Sequence, residues 1–110
     1  MLKKANRFSG RVRLLRVFRT GRVTRSQECS VRFAEAKQLR VAVVVSKKVS
    51  KSAVVRNRIR RRVYSFMEGR QNSLKPGDYV ISIFTETPAS QTRTDFDSSL
   101  SRLLERAGLL

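Results

Sequence analysis

Residues 39–67 read LRVAVVVSKKVSKSAVVRNRIRRRVYSFM, and most of the fold turns on how this stretch is parsed. The part from Leu39 to Ser46 is β-branched and almost continuously apolar, which predicts a strand covered on both faces and placed centrally in a sheet. From Ser46 to Met67, eight side chains are Lys or Arg and none is acidic. At helical spacing Val55, Ile59, Val63 and Phe66 fall into one narrow stripe, with Asn57, Arg61 and Tyr64 nearly opposite. Arg58 and Arg60 lie on the two sides, while Arg56 and Arg62 flank the apolar seam, where their stems can lie along it. Glu68 is the first acid after the run, so pairing along the helix cannot neutralise it. A merely solvated helix face mixes both signs. One sign only, with Arg in excess of Lys, suits phosphate, because a planar guanidinium can bond two oxygens at once.

The rest of the chain agrees with that parsing. It has 110 residues, 40% of them hydrophobic, which is enough for one globular domain over residues 1–110. The formal net charge is +17 and the pI is near 11.7. Charge of that size repels itself in the compact state and is compensated by a polyanion, either nucleic acid or an anionic membrane. The basic residues are segregated: nine lie between Lys3 and Arg25 and ten between Ala36 and Met67, and neither segment holds an acid. The lone Cys29 excludes an internal disulfide and, in its alternating apolar context, reads as a buried structural thiol in a reducing compartment. No apolar run approaches the ~20 residues of a membrane span, and the N-terminal MLKKANRFSGRVRLLRV has no apolar core of a secretory signal. A cytoplasmic protein is expected.

Periodicity predicts the other elements. Residues 11–20 place Leu14, Val17 and Phe18 at helical spacing before Gly21. CSVRFA alternates Cys29, Val31 and Phe33 against Ser30, Arg32 and Ala34, the mark of a strand with two different faces. DYVISIF is a further strand after the turn Lys75-Pro76-Gly77, and TPASQTR reads as a loop. A closing helix follows, with Thr94 as its cap, Asp95 and Asp97 in its first turn, and Phe96, Leu100, Leu103, Leu104 and Ala107 as its apolar stripe; Gly108 ends it. The pattern is that of an α/β sandwich on one mainly antiparallel sheet.

KKVSKSAVVRNRIRRRV resembles the signature of the bacterial ribonuclease P protein subunit, whose core Arg-Asn-Arg run stands here as Arg56-Asn57-Arg58. The similarity extends to ANRF, RVFRTGR, LRVAVVVSKK, KPGDYVISI and LLERAGLL, in order along nearly the whole chain. It implies an α+β two-layer sandwich with a mixed, mainly antiparallel four-stranded sheet and about three helices, ordered α-β-β-β-α-β-α. It also implies a left-handed β-α-β crossover, against the usual right-handed rule. The function implied is that of a subunit binding a catalytic RNA and the 5′ leader of precursor tRNA, for endonucleolytic removal of the leader. In such an enzyme the RNA performs the chemistry with Mg²⁺, and the protein holds no tightly bound cofactor.

Residue by residue, the resemblance assigns Arg56, Asn57, Arg58, Arg60, Arg61, Lys48 and Lys51 to the catalytic RNA, with Asn57 near RNA-bound Mg²⁺. It assigns Arg7, Leu14, Phe18, Ser30, Arg32, Val44, Ser46 and Lys47 to the leader cleft, where Phe18 and Val44 could equally belong to the core. Relatives often carry aromatics at the positions of Leu14 and Arg32 and continue the basic face at Tyr64. Leader binding here should therefore lean more on charge and on Arg stacking.

The residue inventory points away from protein-borne catalysis. The chain has no His and no Cys/His cluster for zinc, and Asp95 and Asp97 are explained by a helix start. The alternative reading is a ribosomal or other small basic RNA-binding protein without catalytic role. Neither a membrane nor a protein partner is expected.

Overall fold

The computed structural model describes residues 11–110, with side chains from Leu14 onward. In chain order the elements are α1 (Arg11–Thr20), β1 (Arg22–Arg25), β2 (Cys29–Glu35), β3 (Arg40–Val45), α2 (Ala53–Gly69), β4 (Gly77–Ile83), α3 (Thr87–Ser90) and α4 (Arg93–Arg106). The four strands form one sheet in the order β1-β2-β4-β3. β1 pairs with β2 and β2 with β4 antiparallel, whereas β3 and β4 run parallel and are joined through α2.

This order corrects one expectation. The run Leu39–Ser46 forms an edge strand, and β2 and β4 are the central pair. Its apolar character comes from cover above and below rather than from a neighbour on each side. Val41 and Val45 are buried against the helices, and Ala42 is buried on the opposite face with Val17.

Side chains of alternating residues go to two unequal layers. Cys29, Val31 and Phe33 of β2, Val41 and Val45 of β3, and Tyr79, Ile81 and Ile83 of β4 join one large core with α2 and α4. From α2 come Ile59, Val63, Phe66 and Met67, from α4 Phe96, Leu100, Leu103 and Leu104. Met67 completes the helical stripe read from the sequence and is fully buried. Tyr64, placed opposite the stripe by spacing, is half-buried and packs against this core. On the other layer, α1 sets Val17 against Ala34, Ala42 and Val80, a cluster of only four buried residues with Leu14 beside it.

Local chemistry fixes the element ends. Ser52 caps α2 by accepting from the Val55 N–H at 3.3 Å. For α4 the cap is Thr92, accepting from Asp95 at 3.1 Å, and not Thr94; the helix starts at Arg93, and Asp95 alone of the two acids lies in the first turn. The stretch read as the loop TPASQTR contains a fourth, single-turn helix, α3, with Pro88 at its start, where a missing N–H costs nothing. Past α4, Gly108 at φ +76° lets the Leu109 N–H reach the Leu104 carbonyl at 2.9 Å. A Cβ on Gly77 would stand 2.4 Å from the Phe33 ring, so only glycine fits at the start of β4.

Two polar ties pin the layers. Arg16 of α1 bonds Asp78 of β4 at 2.6 Å, and Asp78 is 2% exposed. The Tyr79 hydroxyl donates to the Lys75 carbonyl at 2.6 Å, and burial pushes its pKa up. Cys29 is buried as the sequence predicted, and burial raises its pKa.

Candidate nucleic-acid interface

The arginines of α2 divide into two flanks with different surroundings. On the β3 side, Arg56 donates to the Ser50 carbonyl at 2.8 Å, and Arg60 donates to the Val45 carbonyl at 3.3 Å and to Asn57 Oδ1 at 2.9 Å. These bonds clamp the turn Ser46–Ser52 onto the helix. They leave Asn57 exposed at the rim and Lys47, Lys48 and Lys51 projecting from the turn. On the other flank, Arg62 donates to the carbonyls of Pro88 at 3.0 Å and Gln91 at 2.6 Å, while its guanidinium stands 5.9 Å from the Phe96 ring centroid.

Arg58 and Arg61 are exposed on the side of α2 that meets α4. With Arg62, Ser65, Arg93 and Asp97 they line a groove of about 380 Å³, floored by Phe66 and Phe96. The acid in this groove is Asp97, against four guanidinium groups. Arg93, the first residue of α4, comes from a segment the sequence reading treated as loop. Tertiary packing against α2 brings it here, and no local pattern marks it.

The residues assigned to a second surface gather on the α1 side of the sheet. Register places Arg25, Ser30, Ser82 and Val44 in one row across all four strands, and Val23, Arg32, Val80 and Ala42 in the next. α1 packs chiefly on β2 and β4 and covers the end with Ala34, Val80 and Ala42. The other end stays open. Phe18 is 43% and Val44 40% exposed, so both are surface residues and not core. Leu14 is half-buried beside Val17, and Ser46 and Lys47 are exposed where β3 runs out. Arg32 holds its guanidinium 4.9 Å from the Phe18 ring centroid, linking β2 to α1 along the wall of this cleft. Ser30 is 5% exposed and thus forms part of the floor. Arg7 lies outside the described residues.

The sequence reading missed Val23 and Arg25, which β1 adds to the same face. Their alternation in RVTR is a signal, but four residues are too few to fix a register without the pairing to β2.

Among the described residues no three His, Cys, Asp or Glu side chains gather into a metal-binding group. No described helix is long and apolar enough to cross a membrane. Glu35, fully exposed, is held below the usual carboxylate range by its hydrogen bond and charge interaction with Lys75, at 2.9 Å.

Comparison with known proteins follows the same contours. The chain is 38% identical over 92 residues to the ribonuclease P protein component of Thermus scotoductus, covering 84% of this chain and 54% of the relative. Against that of Coprothermobacter proteolyticus it is 39% identical over 80 residues, covering 73% and 66%. It thus spans between half and two thirds of the length of these relatives. The fold superimposes on a Staphylococcus aureus RNase P protein mutant with a TM-score of 0.87 at 22% identity, covering 97% of this chain and 92% of the other. The sequence model of the family described as Ribonuclease P matches residues 2–108. With a match that runs through both basic segments and every strand, the chain belongs to the ribonuclease P protein family.

Proposed function

We propose that this chain acts as the protein subunit of ribonuclease P, binding the catalytic RNA and the 5′ leader of precursor tRNA. In that role it supports endonucleolytic removal of the leader to give mature tRNA 5′ ends. The observation that carries this reading is the guanidinium surface of α2, where Arg58 and Arg61 stand exposed beside Arg93 in a member of this family. A surface of one sign, built on a rigid helix, gains by releasing counterions from RNA phosphates. The family assignment leaves the ribosomal alternative without support.

The two surfaces take different parts. The catalytic RNA is bound by Arg58 and Arg61 with the rim residues Asn57, Lys48 and Lys51. Arg56 and Arg60 fix the helix to its turn with some of their donors and offer the remainder. The single-stranded leader is bound on the open sheet face by Phe18, Arg32, Val44, Ser46 and Lys47. In this reading Mg²⁺ is held by the RNA. The protein supplies binding and orientation, and the RNA supplies the reacting groups.

Reconstitution tests this directly. The protein with its organism's candidate catalytic RNA should remove the leader from precursor tRNA in Mg²⁺, and the protein alone should not. Replacing Asp78, Asp95, Asp97 and Glu68 singly by Asn or Gln should leave the cleavage step intact at saturating protein and Mg²⁺. Loss of cleavage in a folded carboxylate variant would show that the protein carries the chemistry.

A further inference from the structure

Nearly every aromatic ring among the described residues is engaged. Phe33 meets Tyr79 edge-on with centroids 5.0 Å apart, and Phe66 meets Phe96 at 6.5 Å. Arg70 stands over Phe66 at 4.1 Å, and Arg32 covers Phe18. Tyr64 packs against the large core. Phe84 belongs to none of these pairs and is 44% exposed.

Its place in the sheet is well defined. The Phe84 N–H donates to the Glu28 carbonyl at 2.8 Å, which carries the β2–β4 ladder one residue past the pair Cys29–Ile83. Tyr79, Ile81 and Ile83 enter the large core, so alternation puts Ser82 and Phe84 on the opposite face, the one that α1 leaves open. The parallel register Val44–Ser82 and Val45–Ile83, carried one step further, sets Ser46 beside Phe84. The exposed turn with Lys47, Lys48 and Lys51 begins there. Phe84 therefore ends the open strip at the point where positive charge takes over.

We infer that Phe84 is a stacking platform for one base of single-stranded RNA, with the phosphate of that nucleotide held by Lys47, at the start of the basic turn after β3. The inference rests on the proposed role of the open sheet face and extends it to a residue outside the assigned cleft. A flat exposed ring offers a stacking surface to any base. Phe18 is less free for this purpose, because the Arg32 guanidinium already occupies its face. The acids next to Phe84 in the ladder and the chain are Glu28 and Glu86, which leaves the β3 side as the path for phosphate.

The chain has no Trp, so Phe84→Trp introduces its sole indole. The probe is a labelled single-stranded oligoadenylate of about ten nucleotides, within the span of one such binding surface. Binding is followed by anisotropy of the label, and stacking by quenching of the indole. Both measurements are repeated with Arg58→Ala and Arg61→Ala combined, to remove the helix surface. The expected result is quenching with the same midpoint as the anisotropy in both backgrounds, and about tenfold weaker binding by Phe84→Ala with unchanged melting. Saturating anisotropy with an unquenched indole, or Phe84→Ala binding as tightly as the parent, would overturn the inference. So would an indole change that tracks protein concentration without RNA, which would assign Phe84 to a contact between copies. A flat anisotropy in the parent protein would instead remove the open-face reading, and this inference with it.

Discussion

The two faces of the sheet are built from the same strands by strict alternation, yet one is closed and the other is half open. Under α2 and α4 lie residues such as Ile59, Val63, Met67, Tyr79, Ile81 and Leu104, all without measurable exposure. On the α1 side the buried hydrophobic cluster is only Val17, Ala34, Ala42 and Val80, and the strip from Phe18 past Val44 to Phe84 remains in solvent. The difference lies in how many helices cover each face. Among the described residues α1 alone packs on the half-open face, against α2 and α4 on the other. One face therefore carries stability, and the other is free to carry function. A sheet face with Ser82, Arg32 and Arg25 on it is also poorly suited to a second helix, because those groups would lose water without gaining partners.

The contrast can be broken most sharply on the closed face. Ile59→Ala removes a side chain with no exposure and should lower stability by about 2–5 kcal/mol, measured by denaturant titration. A loss below about 1 kcal/mol would mean that the closed face is loosely packed. On the covered end of the α1 side stands Arg16–Asp78. Arg16→Met leaves a buried carboxylate without its partner, and Asp78 Oδ1 has no partner among the described residues even in the parent. Because the Arg16 side chain is 47% exposed and water can enter, the expected cost is about 1–3 kcal/mol. Asp78→Ala with Arg16→Met should recover part of it.

On the open face the prediction reverses. Val44→Ser should change stability by no more than about 0.5 kcal/mol, since Val44 is 40% exposed. A much larger loss would show that this strip is packed and not free. The exposed pair Glu35–Lys75 should matter least. Its carboxylate is held below the usual range, so any contribution is present above the ordinary carboxylate pKa and fades as pH falls through the lowered value. Glu35→Gln should leave melting at neutral pH nearly unchanged and should slightly flatten the loss of stability on acidification, a comparison made by thermal melts across that range.

Much of this contrast was legible in the sequence. The alternation of CSVRFA announced two faces, and the stripe Val55-Ile59-Val63-Phe66 announced the buried side of α2. Long periodic segments report their own burial, because burial is what made them periodic. Three things were not legible. The edge position of β3 depends on which strand pairs with which, and a strand covered above and below looks the same in sequence whether it is central or not. The cap of α4 falls on Thr92 and not Thr94 because two threonines compete for it two residues apart, and only the bond to Asp95 decides between them. The third was the company that side chains keep across elements. Arg56 and Arg60 read as free phosphate ligands, yet both bond backbone carbonyls, while Arg93 read as loop and joins the α2 groove. The strip ending in Phe84 belongs with these, since strand register and not composition gathers it.

The central claim is that the α2 arginines and the open sheet face are separate RNA surfaces. The direct measurement pairs assembly and substrate binding in one set of variants: affinity for the catalytic RNA, then affinity of the assembled complex for precursor tRNA with a leader and for mature tRNA without one. Arg58→Ala and Arg61→Ala should weaken assembly about tenfold or more, whatever the substrate. Arg32→Ala and Phe18→Ala, confirmed as folded by circular dichroism, should assemble as the parent does and lose affinity only for the substrate with a leader. If the two sheet-face variants weakened binding equally with and without the leader, the open face would be part of one general phosphate surface, and the division between the faces would not hold.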